Sequence, residues 1–137
     1  MQKNRRKEVT AMRKMLCILL LLLALAAPAL AQTQVDEVRT QIGENYVAYP
    51  QLTGMADEAV QKKINDDIVL SSGVANHLVT LATLGDSPWG LKVDYHVKLL
   101  GENVFSAVIN AQGKMPDGHE GQAYSALTYD LATGERL

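Results

Sequence analysis

The chain has 137 residues, with 13 Lys+Arg, 15 Asp+Glu and one cysteine, and this near-neutral balance conceals two unlike segments. Residues 1–31 hold six basic residues against one acid, leaving seven basic and fourteen acidic residues in 32–137, a net of −7. At about 100–200 residues per domain, the second segment makes one domain. Size and charge exclude a multidomain enzyme, a multispanning membrane protein, a disulfide-stapled mini-domain and a basic nucleic-acid binder.

The first segment reads as an export signal. Leu16 to Leu30 is apolar apart from Pro28, follows Arg13 and Lys14, and ends in Ala29-Leu30-Ala31. A basic n-region, a short apolar h-region and a small-x-small site define a secretory signal peptide, with cleavage expected after Ala31. Met12 opens a more ordinary n-region than Met1 and is an alternative start. The apolar run is shorter than the ~20 residues that span a bilayer, so membrane contact is expected only if the signal stays uncleaved. Cys17 lies inside the h-region, so a cleaved chain has no cysteine and depends on burial and backbone pairing for stability.

Residues 32–45 are a polar lead-in, with Val35, Val38 and Ile42 as the strongly apolar positions, and imply a weak first strand or a loose approach to the domain at 46–137. Tyr46 to Tyr49 reads as a short strand stopped by Pro50, which cannot donate to a ladder. Asp57-Glu58 is an N-cap with an acidic first turn. Val60, Ile64 and Ile68 at i, i+4, i+8 predict a helix from about Glu58 to Leu70. Ser71-Ser72-Gly73 interrupts it, and Val74, Leu78, Val79, Leu81 and Leu84 either continue the helix or form a second element before Gly85-Asp86-Ser87-Pro88.

Leu91, Val93, Tyr95, Val97 and Leu99 alternate with Lys92, Asp94, His96 and Lys98. This period of two predicts a strand with one dry and one wet face. Val104 to Ala111 is the return strand, with Phe105, Ala107, Ile109 and Ala111 on one face, Gln112 to Gly121 is a loop with three glycines and Pro116, and Gln122 to Leu131 is a third long strand. Ala132-Thr133-Gly134 turns the chain, and Glu135-Arg136-Leu137 opens a further strand. The fold class expected is α+β: an amphipathic helical region on a three- to four-stranded antiparallel meander.

The search for chemistry is mostly negative. The chain has no G-x-S-x-G elbow, Walker loop, dinucleotide glycine fingerprint or H-E-x-x-H, so no catalytic, cofactor-binding or metal-ligating residue is assigned and no cofactor is expected. His77 reads as a solvent-facing or core-edge residue and His96 as a surface one. His119 stands in Asp117-Gly118-His119-Glu120-Gly121, where imidazole beside carboxylates is a pairing used for metals and general bases. Consecutive positions converge poorly on one ion, so Asp117, Gly118, His119 and Glu120 read as a structural turn or a recognition loop. Trp89, in Pro88-Trp89-Gly90, is the aromatic placed for exposure and joins them as a candidate contact. The acidic charge suits a basic partner and disfavours anionic polymers and headgroups.

Several stretches in order carry a resemblance: Tyr49-Pro50-Gln51-Leu52-Thr53-Gly54, Ile64-Asn65, Phe105-Ser106, Gly118-His119, and Thr128-Tyr129-Asp130-Leu131-Ala132-Thr133-Gly134-Glu135. Over about 46–137 the chain resembles the bacterial extracytoplasmic domain shared by the anti-sigma-V-factor ectodomain and the N-terminal region of PdaC-type peptidoglycan deacetylases. The family's glycine-glycine-alanine-histidine loop stands here as Pro116-Asp117-Gly118-His119. The resemblance implies an exported, non-enzymatic binding or sensing domain, periplasmic, wall-associated or extracellular, whose partner is an envelope protein or cell-wall glycan. The alternative is an accessory fragment of a deacetylase without its catalytic domain. Members of this family continue past the Thr-Gly turn, so a truncated gene product and an edge-strand dimer are further expectations.

Overall fold

A computed structural model of the chain describes residues 32–115 and 117–137. The expected signal peptide and its cleavage site after Ala31 lie outside these residues. Seven elements follow one another: β1 (Gln34–Ile42), β2 (Asn45–Thr53), α1 (Glu58–Ser71), α2 (Val74–Leu84), β3 (Leu91–Leu100), β4 (Val104–Lys114) and β5 (Glu120–Asp130). The strands form one sheet in the order β1-β2-β3-β4-β5.

The architecture is α+β as expected, but the sheet has five strands rather than three or four, and it is mixed. The lead-in supplies β1, which pairs with β2 along its whole length from Gln34↔Thr53 to Ile42↔Asn45. β2 and β3 run parallel, joined by two residue pairs, Tyr46↔Lys92 and Val47↔Val93. Parallel neighbours need a crossover connection too long for a hairpin, and the two helices between β2 and β3 supply it.

Pro50 does not stop β2, which continues to Thr53. The backbone of Leu52 is bonded to the Asn65 side chain, so its N–H and C=O point away from β1. Pro50 is two residues earlier in the same strand and points its nitrogen the same way. Its missing donor therefore falls outside the β1 ladder, at a height where β3 no longer pairs with β2.

Asp57 caps α1, its Oδ1 accepting from the backbone N–H of Ala59 at 2.9 Å and of Val60 at 3.1 Å. Ile64 and Ile68 are fully buried, as their spacing predicts. At the break, Gly73 adopts φ +86° and the chain bends by 55° into α2. Gly85, at φ +60°, ends α2 with its N–H bonded to the Leu81 carbonyl.

One face of the sheet carries Val47, Val93, Phe105, Ala107, Ile109, Leu127 and Tyr129, which meet Ile64, Ile68, Val74 and Leu81 in a single core. Phe105 and Tyr129 stack across the β4–β5 rung with ring centroids 6.5 Å apart. The Tyr129 hydroxyl donates to Asp67 at 2.7 Å, which ties α1 to the sheet. Each fully buried aliphatic or aromatic side chain contributes about 1.5–3 kcal/mol, so this cluster dominates stability.

The dry face of β3 is shorter than its alternation implies. Leu91 and Val93 are buried, whereas Val97 is 41% and Leu99 51% exposed. A register shift between Val97 and Leu99 places Leu99 opposite Ser106 and Leu100 opposite Phe105. Half of the segment 112–121 is strand rather than loop: β4 runs to Lys114 and β5 starts at Glu120, in unbroken register from Val104↔Asp130 to Lys114↔Glu120.

Candidate functional site

The residues singled out in the sequence gather at one end of the sheet, at the tip of the β4–β5 hairpin and in the loop before β3. The tip is built by its own backbone. Met115 N–H donates to the His119 carbonyl at 2.8 Å, and Gly118, at φ +85°, donates to the Met115 carbonyl at 3.0 Å. Asp117 serves this turn, accepting from the His119 backbone N–H at 3.0 Å and lying 2.9 Å from its Nδ1. Glu120 stands 3.9 Å from the Lys114 ammonium across the last rung. Asp117, His119 and Glu120 are exposed, and their geometry is that of a polar turn.

Trp89 is 46% exposed, in the loop that approaches this hairpin. The Lys114 N–H donates to the Gly90 carbonyl at 2.8 Å and fastens the loop to β4. The second anchor is Asn45, a residue the sequence reading left in the lead-in. It is 1% exposed and spends its side chain on this loop. Its Nδ2 donates to the carbonyls of Gly85 at 3.1 Å and Ser87 at 3.0 Å, and its Oδ1 accepts from Leu91 N–H at 2.9 Å. Its partners are forty or more residues away, so no local pattern signals the role.

Between the loop, the β1–β2 turn and the hairpin lies a cleft of about 530 Å³. Glu44, Lys92, Gln112, Lys114, Glu120 and Gln122 supply its polar side chains. Lys92, Gln112 and Gln122 stand abreast on neighbouring strands, on the sheet face away from the core. The next row is Asp94, Asn110 and Tyr124, and Gln122 Nε2 donates to Asn110 Oδ1 at 3.1 Å. Further toward β1 the face is held by a network. The Tyr46 hydroxyl donates to Asp94 at 2.5 Å, and the Arg39 guanidinium lies 4.4 Å from the centre of the Tyr46 ring. The bond to the Asp94 carboxylate, followed by partial burial, raises the Tyr46 phenol above its usual range.

A second hollow, about 610 Å³, lies between α1 and residues 134–136. Its polar groups are already engaged: Lys62 with Asp66, Lys63 with the Thr133 carbonyl, Asp67 with Tyr129, and Arg136 with the Ala126 carbonyl. The hairpin-end cleft leaves more of its donors and acceptors open.

The remaining histidines lie apart. His77 is half-buried on α2, where desolvation lowers its pKa, and His96 is exposed on β3. Among the described residues no group of three or more His, Cys, Asp or Glu side chains converges.

No protein-family model and no curated protein matches the sequence. The fold does have counterparts. A crystal structure of a DUF3298 family member from Bacteroides fragilis superposes with a TM-score of 0.55 at 10% identity, covering 77% of this chain and 58% of that one. A DUF3298 family protein from Pseudomonas aeruginosa superposes at 0.53, also at 10% identity, covering 78% of this chain and 55% of that one. The molecule thus has the α+β fold of these proteins of unknown function, and spans little more than half the length of each.

Proposed function

We propose that this protein is a non-enzymatic binding module of the bacterial cell envelope, exported on its first 31 residues, which presents the hairpin end of its sheet to its ligand. The observation that carries this reading is Asn45. A nearly inaccessible amide uses three hydrogen bonds to hold an exposed tryptophan loop beside a polar cleft. Positioning an exposed aromatic with a buried polar anchor is characteristic of recognition surfaces. The signal-like segment and the resemblance to bacterial extracytoplasmic domains support the location, and the fold shared with DUF3298 proteins is compatible with it.

The test has two parts. Fractionation and N-terminal sequencing are expected to find the chain outside the cytoplasm, starting at Gln32. The purified protein is expected to be retained on isolated envelope material, and Trp89→Ala and Lys92→Ala to weaken retention. A cytoplasmic, uncleaved chain overturns the location. Retention unchanged in both variants overturns the assignment of the surface.

A further inference from the structure

The sheet face away from the core carries an evenly spaced polar row at the hairpin end. Lys92 on β3, Gln112 on β4 and Gln122 on β5 are all exposed and stand directly opposite one another. Neighbouring strands lie about 4.8 Å apart, so the row repeats its hydrogen-bonding groups at close to the length of one pyranose ring. Each glutamine amide offers both donors and an acceptor, and the Lys92 ammonium adds further donors. The Gln122 amide is also fixed in place, because its Nε2 donates to Asn110 Oδ1 at 3.1 Å. In the next row on the same face, Tyr124 is 67% exposed. A strand added along the outer edge of β5 would lie in the plane of the sheet and leave this face open.

Charge and polarity narrow the ligand. The cleft sets Lys92 and Lys114 against Glu44 and Glu120, which balance, and Lys114 already stands 3.9 Å from Glu120. A polyanion would be repelled by Glu44 and Glu120, and a polycation by Lys92 and Lys114. Among the described residues lining the cleft, Pro88 is the one apolar residue besides glycine, so an acyl chain or an apolar peptide would find little to bury against. An uncharged ligand rich in hydroxyl groups meets neither objection.

We infer that this face binds a neutral glycan, a chain of hexopyranose units laid across β3, β4 and β5. Successive sugar hydroxyls engage Lys92, Gln112 and Gln122, and the apolar face of one ring lies against Tyr124. This assignment of a ligand class rests on the recognition role proposed above for the hairpin end.

Titration of the purified protein with cellotetraose and with chitotetraose, followed by nuclear magnetic resonance, tests it. At least one of the two is expected to shift the side-chain amide signals of Gln112 and Gln122 saturably. Gln112→Ala is expected to weaken that binding roughly fivefold, the loss of about one hydrogen bond. Gln112 is exposed, and circular dichroism checks that the variant folds. The charged counterparts, tetragalacturonate and the fully deacetylated chitosan tetramer, are expected to bind more weakly. Absence of shifts with both neutral tetrasaccharides overturns the inference, as does tighter binding of either charged one, or neutral binding that Gln112→Ala leaves unchanged. Retention on envelope material that Trp89→Ala and Lys92→Ala weaken would in each of those cases still uphold the recognition surface, so the two failures are told apart.

Discussion

The Asn65 side chain takes the place of a neighbouring strand at Leu52. Its Oδ1 accepts from the Leu52 N–H at 2.7 Å and its Nδ2 donates to the Leu52 carbonyl at 2.9 Å. β2 has parted from β3 by this height, and α1 supplies the missing pair of bonds. Leu52 is fully buried, so Asn65→Ala leaves both backbone groups without a partner. It is expected to cost about 2–4 kcal/mol. Urea denaturation measures this, and a change within about 0.5 kcal/mol, the range of an ordinary surface substitution, would show that the contact is dispensable.

Tyr129 and Asp67 make the domain's stability depend on pH at both ends. The Ser71 hydroxyl, and then that of Tyr129, hold the Asp67 carboxyl below its usual range. This contribution is present above the ordinary carboxylate pKa and is lost as pH falls through the lowered one. Burial, and then the bond to Asp67, push the Tyr129 phenol far above its usual range. Its contribution is complete below the ordinary phenol pKa of about 10 and declines as pH rises beyond it. Tyr129→Phe keeps the stack on Phe105 and is expected to cost about 1–2 kcal/mol, the lower part of the range because Asp67 is half-exposed. Carboxyl titration by NMR is expected to show the Asp67 pKa rising in this variant, and an unchanged value would refute the coupling.

Gly134 is required by its surroundings. It has φ +68°, and a Cβ there would lie 3.2 Å from Lys63 Cδ, 3.3 Å from Val60 Cγ1 and 3.4 Å from Ile64 Cγ1. Gly134→Ala combines a left-handed backbone with crowding against α1, and is expected to cost about 1–3 kcal/mol. Gly121→Ala, with no positive φ and open space at its Cβ, is expected to leave the thermal midpoint unchanged or raise it slightly. Equal losses in the two variants would contradict this distinction.

Asn45→Ala is expected to destabilise by about 2–4 kcal/mol, because the Leu91 N–H is left buried and the loop carbonyls lose their donor. Trp89 is the single tryptophan of the chain, so its fluorescence reports on this loop directly. In the variant, still folded at low temperature, acrylamide quenching of Trp89 is expected to increase. Quenching identical to wild type would separate Asn45 from the positioning of that loop.

Local patterns were readable where local physics decides. The Asp57 cap, the Ile64 and Ile68 stripe and the alternation of Phe105, Ala107, Ile109 and Ala111 all appear in the structure. β1 carries only a weak strand signal, because an edge strand with one neighbour buries few side chains and Val35, Val38 and Ile42 keep no period of two. The glycines and proline of 112–121 suggested a loop, yet continuous pairing carries both strands to Lys114 and Glu120. Alternation in β3 could not reveal that its apolar side loses its cover after Tyr95. Of the candidate site, the exposure of Trp89 and the turn at Asp117–His119 were legible, whereas Asn45 and the row Lys92, Gln112 and Gln122 depend on contacts between distant segments.

The two-pair junction of β2 with β3 has a kinetic consequence. It joins the β1–β2 hairpin to the β3–β4–β5 meander through residues more than forty positions apart. Each of those blocks can assemble from near neighbours, whereas the junction must first close the loop that contains both helices. Amide exchange is therefore expected to be slowest within β4, paired on both sides, and the junction to be the last seam sealed during folding.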